Sequence, residues 1–186
     1  LPHSSANSAF MAQVLADITQ TTDVVLLNTG QRYDDHSDFA PARRDRLKAV
    51  HGAEVVDVSE IASVEADIFA PCALGGALDR ETVATLKAKL VCGAANNQLA
   101  TPDVAALLLD RGITYAPDYV VNAGGIISVS AEYLGEDERD GKARVAAIAP
   151  RVGALLERAA REGRSPALVA DEMAEEVIAG AQREAA

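Results

Sequence analysis

Short apolar runs alternate along the chain with segments in which apolar residues recur at helical spacing. Residues 24–27 form a continuous apolar run between Asp23 and Asn28, which predicts a buried strand. The apolar positions between Phe10 and Ile18 follow a helical period, so a helix is predicted before that strand. The chain therefore opens with a helix followed by a strand.

The same alternation continues to about residue 130. Further strands are predicted at residues 54–58, 66–70, 90–93 and 113–116. Helices are predicted at residues 43–50, 81–87 and 101–111, the first closed by His51-Gly52 and the last opened by Thr101-Pro102. Strands that alternate with helices form parallel βαβ units. We therefore expect an α/β fold with a doubly wound, mostly parallel, Rossmann-like sheet.

The last part of the chain has no strand pattern. From about Lys142 to the end the pattern predicts two helices, the second opened by Ser165-Pro166. The charged, glycine-containing stretch 136–141 is the best hinge candidate. We expect an α/β domain over residues 1–140 and a helical extension over residues 141–186 that packs on the same domain.

Charge and composition narrow the class of partner. The 186 residues can bury one substantial core, and 28 acidic against 17 basic residues give a formal net charge of −11. Phosphate groups would be repelled, so nucleic acids and anionic membranes are poor partners. With neither a membrane-length apolar run nor a signal-peptide pattern, a soluble, cytoplasmic protein is expected.

The two cysteines do not form a metal-binding pattern. Cys72 and Cys92 stand twenty positions apart, without a CxxC spacing or a nearby histidine pair. We therefore expect no metal site. Packing as small hydrophobic side chains is favoured over a nucleophilic role.

Three segments rich in small and amide residues follow predicted strands, at residues 71–76, 93–99 and 116–125. The carboxyl ends of parallel strands meet at one edge of the sheet, where ligands bind in open α/β folds. Glycine allows a flat ligand to approach the backbone, and amide side chains both donate and accept hydrogen bonds. Each segment alone is compatible with ordinary turns, but the three together predict a binding cleft.

These segments also carry a family resemblance. Residues 66–76 (ADIFAPCALGG), 95–99 (ANNQL) and 115–125 (YAPDYVVNAGG) resemble the C-terminal domain of leucine and phenylalanine dehydrogenases, in the glutamate/leucine/phenylalanine/valine dehydrogenase family. The resemblance extends over roughly residues 55–176. It implies an NAD-dependent oxidative deamination of an apolar L-amino acid to a 2-oxo acid and ammonia.

The resemblance also implies roles for individual residues. The residues that would bind the cofactor are Ala73, Leu74, Asn96 and Asn122. The residues that would bind the substrate are Asn97, Ile126 and Val129.

Several family features are absent from the expected positions. Residues 3–10 contain no glycine where the family has a glycine-rich turn, and Asn28 stands near the place of the acidic residue that binds the adenosine ribose. Asn28 can still hydrogen-bond a ribose, more weakly. We expect the first strand and the N-terminal catalytic domain to be missing.

The family's catalytic lysines belong to that N-terminal domain. The lysines of this chain, at positions 48, 87, 89 and 142, are expected on the surface because their surroundings are helical and of mixed charge. No catalytic residue is therefore assigned. Asp118 is a candidate acid, base or substrate contact, and the alternative is that it caps the helix before Asn122.

Three hypotheses follow from these observations. The chain is the nucleotide-binding part of an amino-acid dehydrogenase, or a shortened relative that uses the cleft for non-redox chemistry on an amino-acid-like substrate, or a non-catalytic partner subunit. The first is preferred because the three cleft segments are kept together. A homo-oligomer or a complex with a second chain is expected, because a sheet that lacks its first strand exposes an edge.

Overall fold

The computed structural model describes residues 24–27, 49–50, 54, 56–57, 59–72 and 75–184. Its four strands are β1 Val24–Leu27, β2 Ile68–Pro71, β3 Leu90–Val91 and β4 Thr114–Tyr115. They lie side by side in chain order, and all three pairings are parallel. The predicted α/β class with a parallel sheet is confirmed.

Seven α-helices and a short 3-10 helix, Ile61–Ser63, have both ends within the described ranges, and residues 49–50 are also helical. The α-helices are α1 Arg80–Thr85, α2 Val104–Asp110, α3 Asp118–Val121, α4 Gly124–Leu134, α5 Glu138–Ala146, α6 Ile148–Glu162 and α7 Pro166–Glu184. No helix of the described residues is long and apolar enough to cross a membrane.

Helices cover both faces of the sheet. Phe69, Val91 and Tyr115 lie in register on neighbouring strands, and they pack in one buried cluster with Val83 of α1 and Leu108 of α2. A second cluster, formed by the alternate strand positions and their neighbours, contains Ile68, Cys92, Ala116, Val121 and Val152. All four β2 residues are buried. Burial on both faces explains why the β2 sequence is continuously apolar rather than alternating.

The C-terminal helices pack against each other and beside α3. Leu155 and Ala159 of α6 pack against Val169 and Ala170 of α7 in a third buried cluster. The Tyr119 hydroxyl of α3 donates to the Asp171 carboxylate of α7 at 2.8 Å, an interaction that ties the two helices together.

The C-terminal prediction needs a correction. Three helices, not two, occupy residues 138–184, although the last one begins after Ser165 as predicted. Residues 138–141 are helical rather than a hinge, because the Asp137 carboxylate caps α5 by accepting the backbone N–H groups of Arg139 and Asp140. Gly141 lies inside α5, where a Cβ would stand 3.3 Å from the Ala131 Cβ of α4. The glycine thus permits close helix packing rather than a loop.

The strand predicted at residues 54–58 is also wrong at the positions described there. Glu54, Val56 and Asp57 are not in a strand. The Asp57 carboxylate instead accepts the backbone N–H and the hydroxyl of Ser59, at 2.9 and 2.6 Å, which turns the chain. The helix predicted near residues 10–18 and the His51 cap lie outside the described residues.

Replacing Leu108 by Ala should lower the free energy of unfolding by about 2–5 kcal/mol, because this α2 side chain is completely buried between helix and sheet. The matched control is Leu109→Ala, one position along the same helix, where the side chain is 39% exposed. That change should cost no more than about 0.5 kcal/mol. Equal urea unfolding midpoints for the two variants would contradict the assigned packing of α2.

Candidate functional site

The site lies where β2, β3 and β4 end. We call it the carboxyl-edge site and define it as Gly75, Gly76, residues 93–98, residues 115–118 and Asn122. Its parts follow three parallel strands directly, so the topology brings segments distant in sequence to one edge of the sheet.

Two glycines allow the backbones at this edge to touch. A Cβ at Gly93 would stand 2.1 Å from the backbone oxygen of Pro71, which leaves no space for any side chain. A Cβ at Gly75 would stand 2.8 Å from the backbone oxygens of both Asn96 and Asn97. The Gly76 N–H also donates to the Asn97 carbonyl at 2.7 Å. The loop after β2 therefore supports the loop after β3 from one side.

A buried glutamine holds the loop after β3 from inside. Gln98 is completely buried, and its amide nitrogen donates to the carbonyls of Gly93 and Ala95 at 2.8 and 3.0 Å. Buried carbonyl groups that have left the strand ladder need such donors. Gln98 thus fixes the curvature of residues 93–98.

Asp118 holds the same loop from the other side. Its carboxylate is buried, and one oxygen accepts the Tyr115 hydroxyl at 2.6 Å while the other accepts the Asn97 backbone N–H at 2.8 Å. Burial, and secondly the hydrogen bond to Asp118, raise the pKa of Tyr115 well above its usual value. The tyrosine is therefore a hydrogen-bond donor throughout the ordinary pH range.

The Asn97 backbone is left-handed, with φ of +53°. Among the described residues it is the one non-glycine position with a positive φ. Asparagine tolerates this conformation better than most side chains. The turn points Asn96 and Asn97 outward, and both are exposed.

A pair of amide side chains bridges the second and third segments. The Asn122 amide nitrogen donates to the side-chain oxygen of Asn96 at 2.5 Å. The same nitrogen also contacts the carbonyls of Ala94 and Ala95, both at 3.4 Å, so the Asn122 side-chain oxygen and the Asn96 amide nitrogen are the groups available to a ligand. The pair suits a neutral polar ligand with hydroxyl or carboxamide groups.

The structure thus brings together Asn96, Asn97, Asp118 and Asn122, as the sequence predicts. Ile126 and Val129 lie one turn apart on α4, the helix that follows, and are 69% and 47% exposed. Ala73, Leu74 and Asn28 lie outside the described residues, so their predicted roles stay predictions.

Tyr115 and Gln98 contribute to the site but are not distinguished by the sequence analysis. Tyr115 is indistinguishable from a core residue of β4, and its hydroxyl matters only because Asp118 follows three residues later. The sequence signal for this pair is a tyrosine at the end of a strand that is followed three residues later by an aspartate. Nothing in the sequence marks Gln98 as buried.

Two cysteines lie near this edge, and the pKa of each thiol is raised. Burial raises the pKa of Cys92 to about 11, and burial also raises the pKa of the Cys72 thiol. A thiolate is the reactive form. For Cys92, buried against Ile68 and Ala116, the predicted packing role is confirmed.

The described lysines lie elsewhere. A depression of about 560 Å³ at the opposite edge of the sheet, where the strands begin, is lined in part by Lys87, Lys89 and Arg111. Lys87 pairs with Glu65 at 3.4 Å and Lys89 with Asp67 at 3.2 Å. These lysines are on the surface, as predicted, and are separated from the carboxyl-edge site by the length of the strands.

Comparison with known proteins gives a family match over most of the chain. A sequence model described as Glutamate/Leucine/Phenylalanine/Valine dehydrogenase matches residues 12–177. The chain is 54% identical over 129 residues to a valine dehydrogenase of Streptomyces albus, covering 69% of this chain and 35% of that protein. It is 44% identical over 142 residues to a leucine dehydrogenase of Thermoactinomyces intermedius, covering 76% of this chain and 39% of that protein.

A solved structure shows the same relationship in three dimensions. The crystal structure of L-tryptophan dehydrogenase from Nostoc punctiforme superposes with a TM-score of 0.72 and 41% identity, over 77% of this chain and 43% of that one. The chain thus spans little more than a third of the length of the curated relatives described above.

Replacing Gly93 by Ala should lower the free energy of unfolding by about 1–3 kcal/mol or more, because the new Cβ collides with the Pro71 backbone. The matched control is Gly153→Ala in α6, where a Cβ meets nothing within 4 Å. An alanine inside a helix should be neutral or stabilising by up to about 1 kcal/mol. Thermal unfolding of both variants measures the difference, and an equally stable Gly93 variant would refute the close approach of β2 and β3.

Proposed function

We propose a function from the premise that this chain belongs to the glutamate/leucine/phenylalanine/valine dehydrogenase family. In this proposal the chain is the dinucleotide-binding part of an NAD-dependent amino-acid dehydrogenase. The observation that carries it is the meeting of Asn96, Asn97 and Asn122 at the carboxyl edge of a parallel sheet, held there by buried partners.

The chemistry of these side chains fits the nucleotide. Amides can hydrogen-bond ribose hydroxyls and a carboxamide without requiring a charged partner. Asn96 and Asn122 would hold the nicotinamide side, with Ala73 and Leu74 along the adenosine path and Asn28 near a ribose. When bound, the nicotinamide would accept a hydride from the α-carbon of the amino acid.

The substrate class is proposed from the relatives and from α4. The relatives named above are dehydrogenases of valine, leucine and tryptophan, three amino acids with apolar side chains. Ile126 and Val129 present apolar surface on the helix that follows Asn122. We therefore propose that they contact an apolar side chain of the substrate, while Asn97 contacts its polar end.

Proton transfer is not assigned to the described residues. Lys87 and Lys89 are paired at the opposite edge of the sheet, and Lys142 pairs with Glu138 on the surface at 2.7 Å. The family resemblance implies that the catalytic lysines belong to a separate domain. In this proposal the chain therefore supplies the nucleotide half of the active site. We also propose that it works in the cytoplasm, as a homo-oligomer or in a complex with a second chain.

Calorimetric titration of the 186-residue chain with NAD and NADH tests the proposal. We expect a micromolar dissociation constant for the unchanged chain. Asn122→Ala should raise it roughly three- to tenfold, because one hydrogen-bonding group of about 0.5–1.5 kcal/mol is lost. Lys89→Ala, at the opposite edge, should leave it unchanged.

If a folded Asn122→Ala chain binds NAD as tightly as the unchanged chain, the assigned site is wrong. A folded chain that binds neither nucleotide would refute the proposed function itself. The non-redox alternative would then be tested by titrating amino acids and 2-oxo acids.

A further inference from the structure

We infer that Asp118 is a positioning residue that locks the Asn96–Asn97 turn in its binding conformation, and not a general acid or base. The inference uses the proposed function only for the identity of the ligand. The locking itself follows from contacts within the chain.

Both carboxylate oxygens of Asp118 are committed to structural partners. One accepts the Tyr115 hydroxyl at 2.6 Å and the other the Asn97 backbone N–H at 2.8 Å. The residue is 7% exposed. A group that exchanges protons with a substrate needs access to it, whereas this carboxylate is enclosed by its own donors.

The partner of Asp118 is the strained point of the loop. Asn97 is the described non-glycine residue with a positive φ, and its N–H faces the carboxylate. A hydrogen bond to a charged acceptor is stronger than one between neutral groups. The carboxylate therefore offsets the cost of the left-handed backbone and keeps residues 96 and 97 turned outward.

The turn is clamped from two sides. The Gly76 N–H donates to the Asn97 carbonyl, while Asp118 accepts from the Asn97 N–H, so both backbone groups of one residue are fixed by separate segments. Asp118 also begins α3, whose following residue Asn122 bonds Asn96. The Asp118 carboxylate thus joins the second and third parts of the carboxyl-edge site, and the Gly76 hydrogen bond joins the first part to the second.

The chain contains a matched control for this contact. Asp171 also accepts a tyrosine hydroxyl, that of Tyr119 at 2.8 Å, but its described contacts do not include residues 93–98. Removing either carboxylate breaks a tyrosine–aspartate hydrogen bond. Only the removal of Asp118 should release the turn.

The test compares Asp118→Ala, Asp118→Asn and Asp171→Ala by amide hydrogen exchange and by NAD titration. Asp118→Ala should speed exchange of the Asn97 amide at least about tenfold and weaken NAD binding by about the same factor. Asp118→Asn should stay within about threefold of the unchanged chain, because its amide oxygen can still accept the Asn97 N–H. Asp171→Ala should alter neither quantity.

The outcomes test first whether Asp118 locks the turn and then whether the locked turn is needed for NAD binding. If the Asn97 amide exchanges at an unchanged rate in a folded Asp118→Ala chain, then Asp118 does not lock the turn and the inference is wrong. If the exchange is faster but the NAD affinity is unchanged, then the locked turn is not needed for NAD binding. If the unchanged chain binds no NAD, the proposed function fails. The exchange data still decide whether Asp118 holds the Asn96–Asn97 turn.

A second pair of variants, with smaller changes, tests the inference if Asp118→Ala does not fold. If Asp118→Ala does not fold, Tyr115→Phe removes one donor from the carboxylate and should speed Asn97 exchange by about threefold. Tyr119→Phe is its control and should leave Asn97 unaffected. Equal exchange in these two variants would overturn the inference.

Discussion

Backbone groups that leave a parallel ladder must find new hydrogen-bond partners, and this requirement shapes the functional edge of the protein. At the end of β3 the buried Gln98 amide supplies donors to the carbonyls of Gly93 and Ala95. The Asp118 carboxylate supplies an acceptor to Asn97. Because these partners come from defined positions, the loop has a fixed shape before any ligand arrives.

The fixed shape supports the proposal that this chain carries the nucleotide half of an active site. Glycines at 75 and 93 let neighbouring backbones approach, and the amide side chains of Asn96 and Asn122 then meet across segments. The sheet separates this edge from the paired lysines at the other one. In the proposed function, nucleotide binding and proton transfer belong to different parts of the whole enzyme.

Strands were predictable where the chain has a continuous apolar run, as at Val24–Leu27 and in β2, and in β2 burial on both faces explains the run. The amide segments were predictable because strand ends meet at one edge of a parallel sheet. The contact between Asp118 and Asn97 was not, because it joins residues 21 positions apart and depends on how two loops pack. The hinge prediction for residues 136–141 was wrong for a similar reason, because the role of Gly141 depends on its packing against Ala131 of another helix.

The most direct test of the account is to map NADH binding on the isotopically labelled chain by the shifts of its backbone amide resonances. The account predicts that the shifts concentrate at residues 93–98 and 118–125, with little change around Lys87, Lys89 and Arg111. Shifts centred on the depression at the opposite edge of the sheet would contradict it. They would show that the carboxyl-edge site is not where the nucleotide binds.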